Sequence, residues 1–189
     1  MPDYTFVSVP KHSSNAGRAT GKKSYIVFFR WDDVIAYERD EKGVRVTALT
    51  FAADKKPIAV YGTNSTIKVY QTSEGDDDAR GYIQHLDFDH PGTAIEIEEF
   101  ENNNINENLG AVTFECDGTD ADCKIVGTPC QPLKMIKADS QDDKDAKKHT
   151  LNLATSLRGP VVGRIAKNLV PETDNTEING ILGLTTGGV

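Results

Sequence analysis

One tryptophan, two methionines, three cysteines and four histidines are all that this 189-residue chain holds of its scarcest residue types. No run approaches 18 consecutive apolar residues, so no segment is long enough to cross a bilayer as a helix. Basic residues are outnumbered, with 21 Lys and Arg against 29 Asp and Glu, and the formal charge is −8. A surface of that sign does not grip nucleic acid through its phosphates. The opening MPDYTFVSVPKHSS has neither a basic n-region nor an apolar h-region, so it reads as lacking a signal peptide. Cys116, Cys123 and Cys130 recur every seven residues, a spacing without the paired knuckles of a zinc module. An odd count argues against a full disulfide framework. Reduced thiols are expected, with a Cys116–Cys123 bridge across a short hairpin left open.

Signatures of catalysis are equally sparse. His12, His85, His90 and His149 are scattered, with no pair at metal-ligand spacing, and there is no nucleophile elbow. Residues 17–24 (GRATGKKS) approximate a phosphate-binding loop. They fail it because three residues, not four, separate the glycines, Lys23 intervenes before Ser24, and a strand follows. The clustered carboxylates Asp76, Asp77, Asp78 and Asp117, Asp120, Asp122 lack the alternation, glycine and closing glutamate of a calcium loop. A hydrolytic carboxylate pair is defined by distance, so sequence alone leaves it open. The expectation is a non-enzymatic protein with no cofactor and no metal.

What the chain does have is 38% hydrophobic and 26% charged residues, enough apolar material for one domain's core. Residues 4–9 read as a strand, and 10–23, polar and partly basic without an apolar period, as a long arm. Residues 24–30 (SYIVFFR) read as a buried strand, and 32–40 as a helical turn or irregular crossing. In 44–51, Val44, Val46 and Ala48 share one face and Arg45, Thr47, Leu49 and Phe51 the other, so this is a strand. Residues 57–61 and 66–71 flank Gly62-Thr63-Asn64-Ser65 and read as a hairpin. In 81–89, Tyr82, Gln84, Leu86 and Phe88 make the more apolar face of a strand. Thr93, with Glu96 three residues on, reads as a capping box opening a helix. Strands follow at 111–116, 123–127, 133–137, 149–157 and 161–166, and 138–148 reads as an exposed loop or hairpin tip. The predicted fold is mainly β, a β-sandwich or barrel of about nine strands with one flanking α-helix at about 93–103. The predicted organisation is residues 1–23 as N-terminal strand and basic arm, 24–170 as the β-sandwich domain and 171–189 as C-terminal tail.

Charge is unevenly spread. Residues 71–123 carry fifteen acidic residues against the single basic Arg80. Residues 1–30 carry Lys11, Arg18, Lys22, Lys23 and Arg30 against Asp3. Such polarity predicts head-to-tail self-association. Lys11, Arg18, Lys22 and Lys23 are the candidate assembly contacts, and Glu74, Asp76, Asp77, Asp78, Asp117, Asp120 and Asp122 the candidate acidic face.

In layout the chain resembles tail-tube-like structural proteins of tailed bacteriophages. A strand-rich first half passes through Gly92-Thr93 into one helix (AIEIEEFENN), then come CKIVGTPCQPLKM and LRGPVVGRIA, with a polar loop in each half. The resemblance implies a virion structural protein, made in the cytoplasm of a bacterial host, that assembles with itself into rings, hexameric in the family's manner, or into a tube. It implies contact with other virion proteins, an acidic lumen that lets DNA pass without holding it, and no membrane. The alternative is a capsid decoration or connector protein, or a carbohydrate-binding β-sandwich with a platform built from Trp31, Tyr37 or Tyr82.

Overall fold

The densest apolar run of the sequence, SYIVFFR, lies at the centre of the molecule. In the computed structural model, which describes residues 6–14, 17–116 and 122–184 (Asp122 by backbone alone), it forms β1 (Tyr25–Arg30). A single 3-10 turn (Trp31–Asp33) leads to β2 (Val34–Arg39), β3 (Arg45–Phe51), β4 (Ile58–Tyr61), β5 (Lys68–Glu74) and β6 (Gly81–Pro91). After α1 (Ile95–Asn104) come β7 (Leu109–Thr113), β8 (Asp122–Val126), β9 (Leu133–Asp142), β10 (Lys147–Thr155), β11 (Gly163–Ala166) and α2 (Thr176–Leu182). The fold is therefore mainly β with a flanking helix, as predicted. It has eleven strands and, among the described residues, a second short helix.

All strands belong to one sheet that does not close into a barrel, ordered β2-β3-β11-β8-β7-β9-β10-β6-β5. The β1 strand pairs with β7, and β4 with β1. Pairing is antiparallel throughout except for β11 with β3. At β7 the sheet divides: Ala111 to Thr113 pair with β8, whereas Leu109 pairs with Leu133 of β9 on the same edge. The β1–β7–β8 layer consequently has apolar residues on both faces. Ile26, Phe28, Leu109, Ala111 and Val126 meet β6, β9, β10 and α1 in one core. Val27, Phe29, Val112 and Ile125 meet β3, β11 and α2 in a second. Each core centres on aromatic contacts. Phe28 lies 5.4 Å from Phe100 and 5.9 Å from Phe88, and Phe29 lies 4.9 Å from Trp31. Burying a phenylalanine in this way contributes about 1.5–3 kcal/mol. Gly110 lets the Phe29 ring lie against β7, since a Cβ there would come within 2.4 Å of it.

β-Bulges correct the simple alternation. Thr47 is an extra residue in β3, so Val46 and Leu49, rather than alternate residues, both point inward. Ile35 in β2 and Ile136 in β9 are likewise extra residues, which is why both isoleucines are exposed.

Other expectations are revised. Residues 6–9 form no strand and pair with none of the described residues, and residues 4 and 5 lie outside them. The hairpin expected between 57–61 and 66–71 does not form, because β4 pairs with β1 and β5 with β6. Helix α1 begins one residue later than a Thr93 cap would place it. Its N-cap is Ala94, with no side-chain hydrogen bond. Of the two readings of 138–148 the hairpin holds: the segment is the outer end of a long β9–β10 hairpin, with its strands reaching Asp142 and Lys147. The expected tail docks: Leu182 and Leu184 are buried in the second core. Helix α2 is capped by the Asn175 side chain, which accepts from the Glu177 and Ile178 N–H groups, and it ends at Gly183 in the left-handed region, φ 68°.

Candidate functional site

The candidate assembly cations fall into two pairs. Lys11 and Arg18 are exposed, and among the described residues the Lys11 Nζ donates to the nearby Ser14 carbonyl at 3.0 Å. Lys22 and Lys23 are turned onto their own chain. Lys22 forms a short ion pair with Glu115, which also accepts from Thr20 Oγ1 at 2.8 Å. Burial alone would raise the Glu115 carboxyl pKa, but these donors and Lys124 outweigh it and hold the group below its usual range. Lys23 Nζ donates to the Ile181 and Leu182 carbonyls at 2.9 and 3.2 Å, at the negative end of α2. Burial, then the neighbouring Lys167, lowers the Lys23 pKa. These two lysines thus fasten the arm to the body, as do the Lys23 N–H···Phe114 and Cys116 N–H···Gly21 backbone bonds. Ahead of Thr20 the described arm residues are all exposed. Phe6 is 96% and Val9 87% accessible.

The acidic stretch of the sequence is not one face. Glu74, Asp76, Asp77 and Asp78 are exposed at the β5–β6 turn, where Asp77 lies 3.7 Å from Arg80. Glu96, Glu98, Glu99 and Glu101 lie on α1, which has no basic residue. The 11 residues of β6 separate these clusters, roughly 33 Å at the usual strand rise. Asp117 and Asp120, and the side chain of Asp122, lie outside the described residues.

A groove that sequence reasoning missed runs along the outer edge of β4. Two hollows of about 460 and 440 Å³ share Ile58, Phe100 and Asp174. Helix α1 forms one wall, with Ile97 and Phe100 at its base, and the segment from Asp174 to Ile178 forms the other. The Gly62 N–H donates to the Ser24 carbonyl at 2.7 Å. Continued through Ile26↔Val60 and Phe28↔Ile58, antiparallel alternation turns the backbone groups of Val60 and Ile58 toward β1 and those of Ala59 and Tyr61 into the groove. The ends are closed: Asp174 N–H donates to the Pro57 carbonyl at 3.2 Å, and His90 Nδ1 donates to the Tyr61 carbonyl at 2.8 Å. Between them the Ala59 backbone groups have no partner among the described residues.

Helix α1 is held firmly beside this edge. Asn104 accepts from Arg30 Nε and Nη2 at 3.3 and 3.1 Å and donates to the Phe100 carbonyl. His149, 1% exposed on β10, places Nδ1 2.9 Å from Glu101 Oε1. Its Nε2 is buried without a partner, and no nucleophile is paired with it among the described residues. The aromatic platform proposed for sugar binding does not form around Trp31, which is 6% exposed and packed edge-on against Phe29 and Tyr37. Among the described residues no cluster of His, Cys, Asp or Glu could hold a metal ion, and the three cysteines are free, Cys123 buried and the others exposed. No described helix is long and apolar enough to cross a membrane. No family model, curated protein or solved structure matches this chain.

Proposed function

We infer that this protein is a structural subunit that assembles with copies of itself into rings or a tube, as a virion component of the phage tail-tube kind. One observation carries this reading. An arm bearing almost wholly exposed Phe6 and Val9 extends from a body whose β2, β4 and β5 edges are open among the described residues. Exposed apolar side chains on a strand-forming segment, beside unpaired strand edges, are a liability to a monomer and an asset to an assembly. Lys11 and Arg18 remain the arm's candidate contacts, since Lys22 and Lys23 are occupied within the chain. The acidic turn at Glu74, Asp76, Asp77 and Asp78 is assigned to a lumen, where like charge keeps passing DNA from adhering. Sedimentation velocity over a concentration series, with negative-stain electron microscopy of the same samples, tests the reading. Closed rings or stacked tubes are expected. A species that stays monomeric at every concentration and ionic strength would overturn it.

A further inference from the structure

The groove beside β4 and the arm match each other in length, pattern and charge. β4 has four residues, and the exposed apolar part of the described arm, Phe6 to Val9, also has four and ends at Pro10. Proline has no N–H, so the segment stops there as a strand. In extended form Phe6 and Ser8 point one way and Val7 and Val9 the other. A strand laid against β4 would thus send apolar side chains to both groove walls, toward Ile97 and Phe100 on one side and Ile178 on the other. The outward Ala59 backbone groups supply the ladder bonds. Lys11, just beyond the segment, would then face the acidic α1. The open β5 edge lacks such walls: that strand is exposed and polar along most of its length, and Gln71 is already bonded to the Val162 N–H.

We propose that residues 6–9 of a second copy of this chain add as a strand to the free edge of β4, in the groove between α1 and the segment 174–178. This rests on the assembly reading and names its joint. The arm is anchored from Thr20 onward, and the fourteen residues before it reach about 46–50 Å when extended, far enough to cross to a neighbour. Each copy then donates one strand and accepts one, and such a heterologous contact closes into a ring or propagates.

Two full-length variants test this. Phe6→Asp spoils the donor and leaves the acceptor intact. Ala59→Pro removes one outward N–H and leaves the bonds to β1 untouched. Sedimentation velocity should show each variant alone losing association by about tenfold or more, while an equimolar mixture recovers heterodimers through the one intact pairing. Amide exchange at Ala59 should slow with concentration in the wild type and not in Phe6→Asp. If the wild type associates and both variants do so equally well, the joint lies elsewhere and assembly stands. A monomeric wild type overturns both ideas. Protection of Ala59 that is independent of concentration would mean that the arm fills its own groove, and would overturn exchange between copies.

Discussion

Gln84 shows how much one buried polar side chain governs. It is almost completely buried in β6, its Oε1 accepts from the Gly127 N–H at 2.8 Å, and its Nε2 donates to the Pro160 carbonyl at 2.9 Å. It thereby joins β6 to the turns that end β8 and precede β11. Leucine there keeps the bulk and abandons both backbone groups, so Gln84→Leu should lower unfolding free energy by about 1–3 kcal/mol in urea titration, with the fold retained. The sequence placed Gln84 on the apolar face of its strand but could not show its partners, which lie about 43 and 76 residues away. Glu115 is one contributor to acid stability. Its carboxyl is held below its unfolded value, so the contribution is whole above pH 4.5 and is lost as pH falls through the folded value. Glu115→Gln should therefore make stability fall less steeply than in wild type as pH drops below about 4.5, as measured by thermal melts across the acid range.

At the scale of elements, local chemistry located most strands but not their partners. Runs with strong alternation or dense apolar content, those of β1 and β6, were legible because burial follows directly from pattern. The turn at residues 62–65 looked like a hairpin turn, yet turn chemistry does not say which strand supplies the ladder, and β1 and β6 took β4 and β5 separately. Helix α2 was illegible because TEINGIL is short and holds a glycine, and it depends on the Asn175 cap and on docking of Leu182. The groove was illegible for a further reason: its walls and base come from three distant stretches of chain. The arm, by contrast, was visible as strand-forming sequence, and the structure leaves that tendency unspent. Helix α1 offers a direct test of the revised boundary. Its first turn lacks a side-chain cap at Ala94, so Ala94→Ser should stabilise by roughly 0.5–1 kcal/mol. Thr93→Ala should stay within about 0.5 kcal/mol of wild type. Both are read from thermal melts, and a large loss at Thr93 would restore the earlier cap.

The whole molecule separates charges that hold the fold from charges free to meet another copy. Lys22→Glu should lower the melting temperature, since it sets a carboxylate against Glu115. Lys11→Glu combined with Arg18→Glu should leave melting unchanged and weaken association in sedimentation. Salt raised from about 50 to 500 mM should weaken wild-type association in the same direction, because screening shortens the reach of exposed charge. The β1–β7–β8 layer, with an apolar core on each face, has one more consequence, and it concerns synthesis. Val27 pairs with Val112, so β1 leaves the ribosome long before β7 exists. At about 5–20 residues per second, SYIVFFR waits roughly 4–17 s for its principal partner, and the early β4 pairing covers only one edge of it. During that interval one long edge of the most apolar stretch stays open, and its faces are covered only as Val46 and Leu49 on one side and Leu86, Phe88 and Phe100 on the other emerge in turn.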